Sequence, residues 1–357
     1  LTDAVQPCAG PRRPRLLSLG LLVALDLLYL ALRFGPMRRP LEAGLPLWSG
    51  DRWHAFLGAC NILVQYVRLS LVPIGLSLEH LPPTGQTLPA LWKLGSVAFV
   101  AGAIALAALW WRQERTRSFG VLWFAVWILP VCHLVPIANP MAERFLYAPL
   151  LGPMALLAAA LDRPAARRRR WAAAAIGGLL VCFGALTLCR VADWHSQRTL
   201  HVAALRWTPR SARAMSNLGE TYRRLAGPSE QERSAADDLA EQEFLRGAAA
   251  DPAEHSTRFN LGCLHSRRAE RARLSGNDDE VRDEYERALA WLRWSLAVLL
   301  RQPHFSWTAS RYHDQTGVAY WNLGHHALAL THFRAAVRLD PRNRPAADHA
   351  RTACDYL

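Results

Sequence analysis

No asparagine in this chain begins an Asn-x-Ser/Thr sequence, and none of its seven cysteines stands in a Cys-x-x-Cys pair. The first absence removes any signal for N-glycosylation, and the second argues against a disulfide framework or a zinc site. The closest approach to a metal-binding pattern is His325-His326 with His332, whose register makes them surface positions on a helix, so neither metal nor cofactor is expected. His133, inside an apolar run beside Cys132, reads as packed or hydrogen-bonded rather than as a ligand. The chain begins at Leu1 instead of methionine, which reads as a fragment lacking its natural N-terminus.

What is present is a chain of two compositions. Up to about residue 194, Leu, Ala, Val and Trp dominate and charge is confined to short clusters; beyond it, Arg, Glu, Asp and His are frequent. The net charge of +13 would point to nucleic acid in a soluble protein. The densest basic clusters, at 12–15 and 167–170, flank apolar runs instead. That placement is explained by the excess of Arg and Lys in cytoplasmic loops, with Arg167–Arg170 also attracting anionic lipid, so nucleic acid is not an expected partner.

Apolar runs at 16–34, 88–111, 119–137, 146–161 and 171–188 read as membrane spans. A sixth region, 53–81, is interrupted by Gln65, Arg68, Pro73 and Gly75 and ends in Glu79-His80. Basic loops at 112–117 and 162–170 belong in the cytoplasm, which puts the turn at 139–149 on the opposite face. Counting back, 53–81 cannot cross an odd number of times and is expected to be an outer-face segment, in-plane or re-entrant. Arg68, Glu79 and His80 then share a face with Glu143 and Arg144, and everything after Arg190 lies outside the cytoplasm.

The later half carries repeats. Asn-Leu-Gly recurs at 217–219, 260–262 and 322–324. Gly317, Tyr320, Ala329, Phe333, Ala336 and Pro341 match the spacing of a 34-residue tetratricopeptide repeat, in which small residues let paired helices touch. Two looser copies begin at Leu218-Gly219 and Leu261-Gly262, each with an insertion. Tyr222, Phe244, Tyr320, Trp321 and Phe333 are expected as packing residues. The predicted architecture is all-α: a polytopic transmembrane helical domain over 1–194 and an α-solenoid of about three repeats over 195–357, whose groove binds proteins.

The stretch Val121-Leu-Trp-Phe-Ala-Val-Trp-Ile-Leu-Pro130, followed by Ala142-Glu-Arg-Phe-Leu-Tyr147 and Gly152, closely resembles the transmembrane and tetratricopeptide-repeat O-mannosyltransferases. Tyr66, Pro73, Leu76 and Glu79-His80 are similar to the segment that precedes this motif in that family. The resemblance covers roughly 51–190 and implies a glycosyltransferase of the GT-C type, moving mannose from a polyprenyl (dolichyl) phosphate to Ser or Thr hydroxyls outside the cytoplasm. A bacterial plasma membrane is favoured, or the endoplasmic reticulum in a eukaryote. Such chemistry needs a carboxylate for the acceptor proton and cations for the departing lipid phosphate.

On this resemblance Arg144 is the first candidate for lipid phosphate and Arg68 the second. Glu143 orients Arg144 or meets the acceptor, while Glu79, His80 and Tyr147 have acceptor-side or structural roles. The family's acidic catalytic motif, in its first outer loop, has no counterpart here, since Asp3 precedes the first span. The bland alternative is a Glu143–Arg144 ion pair capping the next helix, with Arg144 reaching headgroups. Two other functions compete: a non-catalytic membrane-anchored repeat scaffold, and another lipid-linked glycan ligase or polymerase.

Overall fold

A computed structural model describes residues 28, 51–134, 139, 141–161, 166–301 and 306–357. The chain divides into two units, Leu1–Ala43 and Gly44–Leu357. Apart from Leu28, the apolar run expected at 16–34 lies outside the described residues. The described residues of the second unit are all-helical, with thirteen α-helices and no strand; one isolated antiparallel bridge joins His80 to Met141.

The apolar half comprises α1 (Arg52–Leu71), α2 (Ala90–Gln113), α3 (Arg115–Ile128), α4 (Leu151–Leu161) and α5 (Ala166–Asp193). Asp51 caps α1 by accepting the His54 amide at 2.9 Å, and the helix stops just before Pro73. This places α1 as one uninterrupted helix of 20 residues within the region expected on the outer face. Its inner face joins α3 and the following loops in a core of Ile62, Tyr66, Leu69, Phe124, Ile128, Met141 and Leu146.

Among the described residues two helices are long and apolar enough to cross a membrane: α2, and α5 over Ala173–Asp193. Their 24 and 21 residues span about 36 and 32 Å, against a hydrocarbon core of roughly 30 Å. Both leave their apolar side chains outward, including Leu91, Leu94, Ile104 and Leu109 on α2 and Leu180, Val181 and Leu188 on α5. The runs at 119–137 and 146–161 are different from the expectation of continuous spans. The first is a 14-residue helix that gives way to a 3₁₀ turn containing Pro130, and the second holds an 11-residue helix after a 3₁₀ turn at Glu143–Leu146. Helices of that length reach only about 21 and 16 Å. They pack on each other through Gly120 and Gly152, where a Cβ on Gly152 would come within 2.3 Å of the Gly120 carbonyl oxygen. Trp123 Nε1 donates to the Ala148 carbonyl across the same contact at 2.8 Å.

The charged half comprises α6 (Gln197–Trp207), α7 (Ala212–Arg224), α8 (Glu230–Ala250), α9 (His255–Leu274), α10 (Asp278–Leu300), α11 (Ser306–Asn322), α12 (His326–Leu339) and α13 (Arg344–Tyr356). Starts are set by local capping: Ser196 with Thr199 on α6, Ser229 with Glu232 on α8, and Asn277 and Asn343 on α10 and α13. Each such cap satisfies amide donors that the first turn leaves unpaired.

Three helix pairs repeat one packing device. Gly219 of α7 lies against the Phe244 ring of α8, Gly262 of α9 against Leu292 of α10, and Gly317 of α11 against Phe333 of α12. Ala240, Ala288 and Ala329 are fully buried beside these contacts. A methyl on any of the three glycines would come within about 2.6 Å of its partner, so only glycine lets the helices meet. This register corrects the Asn-Leu-Gly count. Gly324 is not equivalent to Gly219 and Gly262; with φ +80 it makes the turn between α11 and α12. The insertions are extra helix: α9 and α10 have 20 and 23 residues, where α11 and α12 have 17 and 14.

Candidate functional site

The turn at 139–149 is held by α1. The Tyr66 hydroxyl, fully buried, accepts the Ala142 amide at 3.2 Å and faces its carbonyl at 3.3 Å. The His80 amide donates to the Met141 carbonyl at 3.1 Å. Next to it His133 takes a positive φ of 67° and sets Nε2 3.2 Å from the Asn139 carbonyl, so it is a packed, hydrogen-bonded residue.

These constraints bring His80 and Glu143 together but separate the two members of the charged dipeptide. Glu143 Oε1 faces His80 Nε2 at 3.5 Å and Arg190 Nη2 at 3.7 Å. Arg190, from the far end of α5, also holds Asp193 at 2.9 Å. An ion pair between Glu143 and Arg144 is therefore not what forms: consecutive side chains in the 3₁₀ turn diverge. Glu143 Oε1, His80 Nε2 and Arg190 Nη2 are buried without hydrogen bonds, so the cluster is held by charge at long range. Arg144 is exposed, lies with its guanidinium carbon 4.9 Å from the Phe145 ring centroid, and stays within electrostatic reach of Tyr66. Tyr147 is 82 % exposed. Arg68 is exposed as well and donates to Gln65 at 3.1 Å.

Glu79 faces the repeats. Ser211, the cap of α7, donates to Glu79 Oε2 at 3.0 Å, and Arg213 Nη1 lies 3.1 Å from Glu79 Oε1. The same nitrogen donates to Asn139 Oδ1 at 2.7 Å. Gly75, at φ +78, lies against the Trp207 indole, so a bare backbone meets a ring at the junction. Neither Arg213 nor Arg190 belonged to the expected site. Both partners stand far along the chain from the turn, and no local pattern marks them.

Two hollows accompany these groups. An apolar one of about 380 Å³ lies among α1, α2, α3 and α4, with Leu63, Val67, Phe99, Ile104, Phe124 and Leu156 in its wall. The other, about 610 Å³, is the concave face of the repeats, lined by first helices of successive pairs: Phe259, Cys263 and Arg267 of α9, Arg311 and Asp314 of α11, and His349 of α13. Burial pushes the Cys263 thiol up to about 11, opposed in part by Arg267, Arg311 and Arg223. Hydrogen bonding to Asp314 at 2.8 Å raises His349.

Among the described residues no three His, Cys, Asp or Glu side chains gather as metal ligands. The expectation that His332 is a surface position fails: it is half-buried, its Nδ1 3.1 Å from that of His313. His326 is edge-on to Trp321 and Tyr356. A model of the tetratricopeptide repeat matches residues 310–343, the pair α11–α12 and the turn beyond it. No curated protein matches the chain.

Proposed function

We propose that the chain is a membrane-associated tetratricopeptide-repeat protein whose concave groove binds segments of partner proteins. The observation that carries this reading is the repeat itself: a matched pair at 310–343 continued by two register-equivalent pairs, with an open groove along their first helices. Such grooves present side chains from successive repeats to one extended ligand. Outward apolar surfaces on α2 and α5 supply the membrane association. The test is a photo-crosslinking residue at Gln315, in the groove, with Arg246 on α8 as control. Discrete protein adducts from Gln315 alone are expected; equal yields from both positions would sink the reading.

A finer reading concerns the turn. We propose that Arg144, with Arg68 in a secondary role, meets the phosphate of a polyprenyl-linked sugar, mannose being the sugar named by the resemblance, for transfer to protein hydroxyls. Support comes from the exposed guanidinium, which holds no carboxylate among the described residues, and from the apolar hollow among α1–α4, which suits a hydrocarbon chain. In this reading Glu143 and His80 position the turn, Glu79 links it to the repeats, and the repeats lie outside the cytoplasm on a multi-pass domain in a bacterial plasma membrane. Arg144→Ala should abolish turnover of a polyprenyl phosphate mannose donor in the full protein without altering membrane insertion. Unchanged turnover would remove Arg144 from the site, and a reporter after Leu357 active in the cytoplasm would overturn the sidedness.

A further inference from the structure

The repeats are dense in arginine, and most of those arginines are matched. Arg268 holds Glu241 and Asp238, Arg271 holds Glu230 and Asp237, and Arg273 holds Glu270. Arg287 holds Glu284 in the same way. The concave groove is the exception. Its two carboxylates are already engaged, Glu270 by Tyr285 and Arg273, and Asp314 by His349. Its two guanidiniums, on Arg267 and Arg311, have no carboxylate within ion-pair distance among the described residues. Arg311 lies over the Phe259 ring at 5.6 Å. Two helices earlier, on α7, Glu220 is shared by Arg223 and Arg224, which leaves one positive charge in excess, and Arg223 is close enough to act on Arg267.

Arg267 is the informative member. A guanidinium free in water costs nothing, but this one is half-buried in the wall of the hollow. Burial, with Arg223 as the next cause, pushes it down to about 10, against an ordinary value above 12. Asp237 and Glu220 offset this only from beyond ion-pair distance. A charge held partly out of water with no carboxylate in contact is relieved by any anion that reaches it, and a carboxylate matches the guanidinium fork in two hydrogen bonds. Phe259 and Val318 in the same wall offer apolar contact beside the charges.

We infer that the groove selects an acidic linear segment of a partner protein, with carboxylate side chains seated on Arg267 and Arg311 and an apolar residue against Phe259 and Val318. This rests on the protein-binding reading and narrows it to one charge class.

The experiment uses the full chain in detergent and short amidated peptides carrying a fluorophore: one of Glu, Ser and a single Leu, and its counterpart with every Glu replaced by Gln. Anisotropy should show the acidic peptide binding at least about tenfold more tightly than the Gln peptide, with affinity falling as salt rises. The Arg267→Gln/Arg311→Gln variant should lose that difference, and Arg246→Gln should keep it. If the double variant loses its helical signal or thermal transition, Arg311→Gln, at an exposed position, carries the test alone. Equal binding of both peptides, or an acidic preference untouched by the variants, overturns the inference but leaves protein binding standing. Binding of neither peptide, with Gln315 adducts still forming, overturns it in the same way. Loss of those adducts as well would take the protein-binding reading with it. Displacement of the acidic peptide by a neutral-backbone Gln peptide at equal concentration also counts against it.

Discussion

Helices α7–α13 and helices α2 and α5 answer the same need, covering apolar side chains, in opposite ways. In the repeats, Phe244, Leu261, Leu264, Leu292 and Phe333 are buried against neighbouring helices, and charge faces out in pairs. On α5 Leu180, Val181 and Leu188 are exposed among the described residues, and a Cβ added to Gly177, Gly178 or Gly184 would meet no atom of another described element within 4 Å. A glycine at these repeat contacts is therefore a packing residue, while one on α5 is packed by no other helix among the described residues. The difference teaches that the first group covers its apolar side chains with its own helices, whereas α2 and α5 keep an apolar surface that the other described residues leave open.

Deleting a ring from a repeat contact should have the largest effect. Phe244→Ala removes a fully buried side chain that fills the space above Gly219, and should cost about 3–5 kcal/mol. Loss of the thermal transition of the repeat helices, followed by circular dichroism, checks it. A smaller change bears directly on the glycines. Gly152→Ala drives a methyl into the Gly120 carbonyl and should cost about 1–3 kcal/mol, whereas Gly184→Ala should be neutral or gain up to about 1 kcal/mol of helix propensity. Equal destabilisation of both in detergent would mean that α5 is covered by a neighbour.

The charged junction is next. Glu143 and Arg190 are partly buried and 3.7 Å apart, so Glu143→Gln and Arg190→Ala should be non-additive by about 0.5–2 kcal/mol in a double-mutant cycle. Additive losses would show that the cluster contributes no coupling.

The smallest effect is a proton. Burial, reinforced by His313 of α11 and Arg293 of α10, pushes His332 down to about 4, with the Tyr320 ring beside it. Between the ordinary histidine value of roughly 6.5 and that point, the unfolded chain takes up a proton that the folded repeat refuses. Stability should thus fall as pH drops through this window, by on the order of 1 kcal/mol once the half-exposed ring's screening is discounted. His332→Asn should flatten that slope in pH-dependent melts; an unchanged slope would exclude the ring as its source.

Much of the fold is legible in the sequence. Gly317, Ala329 and Phe333 announced the last repeat because their spacing is imposed by local helix geometry. Residues 88–111 and 171–188 announced long apolar helices because composition alone carries that signal. Two expectations failed for physical reasons. Asn-Leu-Gly at 322–324 shares letters with the packing glycines, yet Gly324 serves backbone conformation instead of helix contact. The runs at 119–137 and 146–161 are hydrophobic enough to look continuous, but the prolines near their ends, with the Gly120–Gly152 contact, make short packed helices.

The candidate site divides along the same line. Loop charge and order along the chain put Arg68, Glu79 and His80 on one face with Glu143 and Arg144; of these, His80 and Glu143 face each other at 3.5 Å. The arginine partners were not legible there. Arg190 reaches Glu143 from the end of α5, and Arg213 reaches Glu79 from α7. Arg258 was missed altogether: it is buried, donates to the Ala248, Pro252 and Glu254 carbonyls, and lies over the Trp294 ring at 4.3 Å. In one dimension it is one arginine among many.

By itself the sequence determined the helical class, the change of character near residue 194, the last repeat and the two long apolar helices, since each arises from composition or spacing within a few turns. Only the tertiary structure decided which carboxylate meets which guanidinium. That choice separated Glu143 from its neighbour Arg144 and left Arg267 and Arg311 facing an open groove. Ion pairing depends on distances between side chains brought together by folding, and no local pattern of residues encodes those distances.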